Sequence, residues 1–471
     1  MRTHLISVLG NRLYQPTYYG AKLKKEEFFQ CTLAKKFEKE LKNNGRITVL
    51  LTTEAKEMNW QNRKFSGNEA GRSFGDGYVI REGDIHEGLE SKLKKIVGDD
   101  AVHCITLSDC SDHNLMLKEI SDKIIRIIED GDEVIFDITN GFRSIPLIAV
   151  SALRYAKTIK RCKLKGIYYG AFDAIQDGVV PIIDTSLYND IIDWSFAAEQ
   201  LKEYGNAIPM KDTYEDLHCY SDNYDYGTSL GKVIKATYIL TEAIKTSRLS
   251  DDTEGIEANI RDAYWYYRKC YNDWSNDGFD YADIPLKEML KCANRKFRVL
   301  YNKKGYELGL VVARLQMEFK MVNQTYVCLH ETMKMYIRDI LLKKFENYDN
   351  LSELMFMVKK KGEYEEKKRA GEDMYYSDWQ YFTEIDRDSQ EYYSKLKEDR
   401  KILAKKVFLK INSDLAFAKK QVSSKRNNLS HCGILEGDNK EIDVTEFQKS
   451  LDKLYGIVCN AINDDINGSL G

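Results

Sequence analysis

A chain of 471 residues, 43% of them hydrophobic, is long enough for about three domains with buried cores. Its net charge of −3 excludes polyanion binding by bulk charge, so an anionic partner must meet a local basic patch. Ten cysteines without a CxxC pair read as reduced thiols, MRTHLISVLG is too short an apolar run for a signal peptide, and no run of about 18 apolar residues occurs; the expectation is a cytoplasmic chain with no membrane span.

The first 185 residues alternate between strand and helix patterns. His4–Leu9 reads as a buried strand. Phe29, Leu33, Phe37 and Leu41 recur at helical spacing and predict one helix over Glu26–Asn43. Ile47–Thr53 and Ala101–Leu107 are the next strands, Leu115–Glu129 a helix, and Glu133–Ile138 a fourth strand. A helix from about Pro146 to Ile159 and a strand at Lys165–Ala171 follow. Such alternation predicts βαβ units and a parallel sheet. Residues 54–88, with FSGNEAGRSFGDGY, read as a long functional or mobile loop. Beyond Asp184 the patterns are helical, with breaks at Pro209, at SDNYDYG and at Pro285. One long helix is expected over Glu307–Phe345. Residues 351–400 read as polar, with KKKGEYEEKKRAGED as an exposed insertion and the Lys/Glu run 359–373 as a solvated surface. Helices at Asp414–Leu429 and Val444–Ile462 close the chain. The fold class expected is α/β followed by all-α.

In an open parallel sheet, ligands bind at the carboxyl ends of strands where the strand order reverses. Two strand ends suit this: GNRLYQPTYY at 10–19 and TNGFRSIP at 139–146. Gly141 allows close backbone approach, and Ser144 caps a helix whose first turn holds Pro146. The free amides of that helix start favour a phosphate, with Arg143 as a charged clamp. Thr139 and Asn140 suit sugar or base edges, and Tyr14 or Phe142 can stack on a base. The G-x-G-x-x-G and Walker patterns are absent, which disfavours NAD and ATP but not another anionic nucleotide. A plain strand-to-helix turn explains TNGFRSIP equally well on composition.

DITNGFRSIP at 137–146 and LGNRLYQPTYY at 9–19 resemble the sensor domain called CARF, for CRISPR-associated Rossmann fold, in the branch that joins it to a C-terminal HEPN ribonuclease domain. The resemblance is strongest over these segments and the final 50 residues. It implies a Rossmann-like sensor over 1–185, a helical linker over 186–305 and a HEPN domain over 306–471. It also implies a homodimer in which both loops cradle an allosteric activator, a cyclic oligoadenylate, with cyclic tetra-adenylate the expected ring. The residues so implied are Gly10, Asn11, Arg12, Tyr14, Thr17, Thr139, Asn140, Gly141, Phe142, Arg143 and Ser144. The chain departs from its relatives at Asn140, where histidine is commoner, and at Gly10-Asn11, where a Gly-Thr turn is commoner.

HEPN ribonucleases carry Arg-x(4–6)-His with a polar residue after the arginine, and Arg426, Asn427 and His431 fit. Spacing alone is weak, since about one chance match is expected in such a chain, and Arg81 to His86 is a second. Leu415, Ala418, Val422 and Leu429 form an apolar stripe that places Arg426 toward the buried side, where an arginine needs an anionic partner or a ligand. His431 lies about 140° further round a regular helix, so convergence requires a helix end or a dimer. A helix C-terminus with cations placed against its dipole is the plainer alternative. The resemblance implies metal-independent cleavage of single-stranded RNA, with no cofactor, to a 2′,3′-cyclic phosphate and a 5′-hydroxyl. His431 would be general base or acid, Arg426 would stabilise developing charge, and Asn427 would position the phosphate or the histidine. Gln324, His330 and Glu331 are weaker cleft candidates. Two other classes fit part of the chain: a nucleotide-sensing regulator without nuclease activity, and a HEPN toxin-like RNase without a nucleotide activator.

Overall fold

The structure, a computed structural model, describes residues 2–21, 24–72, 79–108, 113–140, 144–218, 226–250, 255–277, 284–345, 348–430 and 444–467. It divides into two compact units, Met1–Ile192 and Asp193–Gly471.

The first unit is built on a six-stranded sheet: β1 (Thr3–Leu9), β2 (Gly45–Leu51), β3 (Val102–Thr106), β4 (Glu133–Asp137), β5 (Lys163–Gly170) and β6 (Ile182–Asp184). The spatial order is β6-β5-β4-β1-β2-β3. Every neighbouring pair is parallel except β6, which runs antiparallel along β5. Side chains alternate between faces as the pleat requires. Leu5 and Leu9 pack with Phe28, Phe29, Leu89 and Leu93, whereas Ile6 and Val8 pack with Ile120, Ile124, Ala149 and Leu153. Helices α1 (Phe29–Lys36) and α2 (Leu89–Val97) therefore cover one face, and α3 (His113–Ile127) and α4 (Ser144–Lys160) the other. Both faces are buried, so the central strands read as continuous apolar runs. The strand order reverses between β1 and β4, which face each other in register from Thr3↔Glu133 to Ser7↔Asp137.

Two expectations for this unit need correction. The single helix over Glu26–Asn43 is two, Phe29–Lys36 and Glu38–Asn44, separated by Phe37, whose backbone (φ −109°, ψ 26°) leaves helical geometry. The loop 54–88 is structured in its described part. A helical turn at Thr53–Ala55 runs into a π-turn at Lys56–Trp60, and Arg63–Lys64 pairs antiparallel with Ile85–His86.

The second unit is helical, with one hydrophobic cluster running from Trp194 to Ile462. Prolines 209 and 285 sit in the first turns of Ile208–His218 and Ile284–Phe297, where a missing N–H costs little. The expected helix over Glu307–Phe345 is instead a hairpin of α5 (Gly305–Glu318) and α6 (Val322–Tyr336), continued by a π-turn at Ile337–Leu341. Lys320 turns the chain with a left-handed φ of 59°. Gly309 lets the two helices close up, since a Cβ there would overlap the Thr332 hydroxyl.

The exposed insertion expected at 359–373 holds at Lys359 and over residues 368–373, but the stretch between is largely buried. Residues Leu351–Arg369 form α7, which buries Lys360, Lys361 and Glu365. Lys360 Nζ lies 2.8 Å from Asp386 and 3.2 Å from Glu363, and Lys361 Nζ lies 3.0 Å from Asp378 and 3.2 Å from the Phe408 carbonyl oxygen. Paired cations can be buried, so a charged run need not be a surface. Helices α8 (Ser413–Ser430) and α9 (Val444–Asn467) complete the unit, and α8 packs on α7, α6 and α9. No helix among the described residues is long and apolar enough to cross a membrane.

Candidate functional site

At the switch point of the sheet, the chain leaves β1, β2, β3 and β4 around a cavity of about 500 Å³. Gly10, Asn11, Arg12, Tyr14, Thr139 and Asn140, all expected from the sequence, line it. Thr17 is not among the lining residues; it pairs with Glu26 in a short ribbon. Gly141, Phe142 and Arg143 lie outside the described residues, and Ser144 is described only as the first residue of α4. The lining also includes Leu51, Thr52 and Leu107, which end the other two strands. The topology of a doubly wound sheet was the signal that could have found them, because all strand ends on that edge share one crevice.

The loop after β1 is held from several sides. Asn59 is fully buried on the π-turn, and its Nδ2 donates to the carbonyl oxygens of Gly10 and Arg12, both at 2.8 Å. Asn11 Nδ2 donates to Glu54 Oε2 at 2.8 Å. The Gly10 N–H donates to the Tyr14 hydroxyl at 2.8 Å, and the Tyr14 ring meets Phe28 edge-on at 5.4 Å. Tyr14 is thus a brace for the loop, and burial pushes its hydroxyl well above the ordinary tyrosine range. Sequence reading missed Asn59 and Glu54, since nothing local marks a π-turn as the support of a loop more than 40 residues away.

The loop after β4 is anchored by Asp137, which is completely buried. Ser7 Oγ donates to Asp137 Oδ2 at 2.6 Å, and the Thr139 N–H donates to Oδ1 at 2.8 Å. Burial raises this carboxyl from 3.8 to about 6 against the pull of those hydrogen bonds. Thr139 Oγ1 also accepts from the Gly170 N–H at 2.9 Å, tying the ends of β4 and β5 together. Two polar cross-links therefore set the height of Thr139 and Asn140 at the cavity wall.

In the second unit, α8 carries Arg426 and Asn427 in its last turns. Arg426 is half-buried, and its Nη1 donates to Asn427 Oδ1 at 3.0 Å. His431 lies outside the described residues. Asn427 lines a cavity of about 470 Å³ between α6, α7 and α8, together with His330, Lys359, Lys419, Lys420 and Ser423. His330 is buried, with Nδ1 3.0 Å from Glu331 Oε1. Burial lowers its pKa; the Glu331 hydrogen bond opposes that, and the Lys419 and Arg426 charges add to it. Gln324 is half-buried and is not part of this wall. The other spacing match, Arg81 to His86, forms no site. His86 is buried 2.8 Å from Glu27 between the Phe28 and Phe65 rings, while Arg81 is exposed.

A mostly parallel sheet with helices on both faces and a polar cavity at its switch point gives the first unit a Rossmann-like fold with a candidate ligand site. Residues 4–173 match the family described as "CRISPR system endoribonuclease Csx1, CARF domain". The CRISPR-associated protein MJ1674 of Methanocaldococcus jannaschii is 32% identical over 193 residues, which cover 38% of this chain and 30% of that protein. Residues 4–173 are therefore similar to the CARF domains of CRISPR-associated proteins. It aligns with less than a third of that relative's length, and the CARF match ends at residue 173, before the helices of the second unit begin.

Proposed function

We propose that this protein is a cyclic-oligoadenylate-activated, metal-independent endoribonuclease of a type III CRISPR defence system, acting on single-stranded RNA as a homodimer. The observation that carries the reading is the switch-point cavity in a CARF domain, walled by Gly10, Asn11, Arg12, Thr139 and Asn140. Its size falls in the range of ordinary ligand pockets. Two such walls, one per subunit, would cradle a two-fold cyclic tetra-adenylate, with Arg143 and the start of α4 meeting its phosphates.

The helices from about residue 306 onward are assigned to the HEPN nuclease. The substrate's 2′-hydroxyl attacks its own phosphate, losing its proton to a base. The bond to the 5′-oxygen breaks, and that oxygen takes up a proton. His431 serves as base or acid, Arg426 offsets charge on the phosphate oxygens, and Asn427, already bonded to Arg426, holds the guanidinium or the phosphate in place. One Arg–His motif per chain makes a composite site across the dimer the natural arrangement.

The test is labelled single-stranded RNA incubated with purified protein in EDTA, with and without cyclic tetra- or hexa-adenylate. Activator-dependent cleavage to 2′,3′-cyclic phosphate and 5′-hydroxyl ends is expected. Absence of activator-dependent cleavage sinks the reading and returns the chain to the regulator class.

A further inference from the structure

Lys419 has no role in the chemistry above, and its place in the fold is costly. It is 8% exposed, and among the described residues its Nζ has one hydrogen bond, to Ser423 Oγ at 3.2 Å. Ser423 in turn donates its hydroxyl to the Lys419 carbonyl oxygen at 2.7 Å. No ion pair joins Lys419 to a carboxylate among the described residues, whereas the other lysines on the wall are matched: Lys420 with Glu366 and Lys359 with Glu363. A buried ammonium with a single hydroxyl partner is unfavourable, and such groups persist where a ligand supplies the missing charge. Burial and the neighbouring Lys334 and Arg426 charges lower its pKa to about 7, with Glu331 opposing.

Lys419 also faces a cavity large enough for part of a nucleotide chain, beside Ser423 and Asn427. Arg426 stands seven residues along the same helix, about 10 Å by helical rise, and its charge is felt by both Lys419 and His330. His330 has its Nδ1 on Glu331, so the neutral ring carries its proton there and leaves Nε2 as an acceptor. The wall thus offers an ammonium, a hydroxyl, an amide and an imidazole acceptor, the set that a phosphate with its attached ribose requires.

We propose that the cavity between α6, α7 and α8 is a subsite for the RNA strand, in which Lys419 holds a backbone phosphate next to the one that Arg426 serves. This rests on the nuclease reading but is tested apart from it. Phosphate binding restores the charge of Lys419, so binding takes up a proton. Among the described residues, the charges around it belong to Glu331 and Lys334 on α6, Lys359 on α7, and Lys420 and Arg426 on α8.

The probe is a fluorescent 2′-O-methyl RNA oligonucleotide, which lacks the attacking hydroxyl, titrated with the full chain by anisotropy between pH 6 and 9. Lys419→Met, which keeps the stem and removes the charge, is expected to weaken binding about tenfold and to reduce the salt slope by about one. Wild-type affinity should fall as pH rises above about 7, the Met variant should be flat over the same interval, and Lys419→Arg should retain binding. With cleavable RNA and cyclic tetra-adenylate, the Met variant should raise KM with little change in kcat. Equal affinity and salt slope in wild type and Lys419→Met would overturn the proposal, as would failure of the wild type to bind the probe. Lys419-dependent binding by a protein that cleaves nothing would support the subsite and remove the nuclease. Cleavage unaffected by Lys419→Met would do the reverse.

Discussion

Gly362 on α7 and Ala416 on α8 lie so close that a Cβ at position 362 would overlap the Ala416 carbonyl oxygen and come within 2.9 Å of Lys420 Cβ. The two helices cross at this glycine, and the crossing sets how α8 presents Lys419, Ser423 and Asn427 to the cavity. Gly362→Ala should therefore destabilise the protein despite the roughly 1 kcal/mol that alanine gains over glycine in a helix. Overpacking of about 1–3 kcal/mol outweighs that gain, and Gly362→Val should cost more. Urea denaturation followed by circular dichroism measures the sign. Stabilisation by alanine would show that the helices can part without penalty.

Asn59→Ala removes the donor that gathers the Gly10 and Arg12 carbonyls and leaves two acceptors facing a buried void. The expected loss is about 1–3 kcal/mol. Because those carbonyls shape the cavity wall, activator affinity should fall several-fold, read by calorimetric titration with cyclic tetra-adenylate. Unchanged affinity in a destabilised variant would mean that the loop keeps its shape without Asn59.

Asp137 makes stability depend on pH. Its folded pKa of about 6 lies above the ordinary 3.8, so the folded protein holds the proton more tightly than the unfolded chain. The contribution is fully present below about pH 4 and is lost as pH rises through about 6, a swing of about 3 kcal/mol. Asp137→Asn should flatten that slope, with the Ser7 hydroxyl reversing to accept from the new amide. Urea midpoints of both proteins at pH 4, 5, 6 and 7 give the difference, and parallel profiles would exclude Asp137 as the cause.

Lys419 carries the opposite dependence. Its folded pKa is depressed to about 7, so its contribution is present above the unfolded value near 10.5 and is lost as pH falls through about 7. Lys419→Met should consequently melt higher than wild type, with the advantage growing from pH 10 to pH 7 and constant below. A scan of melting temperature over that interval checks it; a Met variant that melts lower at pH 7 would mean that the ammonium is matched in the fold.

His431→Ala should abolish RNA cleavage, by at least about a hundredfold, while leaving affinity for cyclic tetra-adenylate intact. Arg143→Ala should weaken activator binding and spare basal cleavage. Gel-resolved cleavage and calorimetry on both variants measure the two effects, and loss of activator binding in His431→Ala would contradict the division of labour.

The α/β half was legible because its signals are local. Runs such as HLISVL and EVIFDI are apolar throughout, as strands covered on both faces must be, and they reappear as β1 and β4 within a residue or two. The rule that a parallel sheet binds ligands where its order reverses pointed to the two strand ends, and the resemblance to CARF domains named six of the residues that line the cavity. The helical half was less legible. An apolar period runs straight through Lys320 because α5 and α6 pack on the same core, and only the positive φ at that residue separates them. The run of charges at 359–373 looked solvated because the partners of Lys360 and Lys361 include Asp386 and Asp378, which lie on later elements.

By itself, then, the sequence determined which segments become strands and helices and which strand ends could hold an anionic ligand, since periodicity and turn chemistry act between near neighbours. Only the tertiary structure decided what depends on distant partners: Asn59 beneath Gly10 and Arg12, Asp137 beneath Thr139, and Lys419 buried beside His330 with no carboxylate paired to it among the described residues. Burial and pairing belong to the packed chain rather than to any stretch of it, and those two quantities are the ground for the subsite proposed at Lys419.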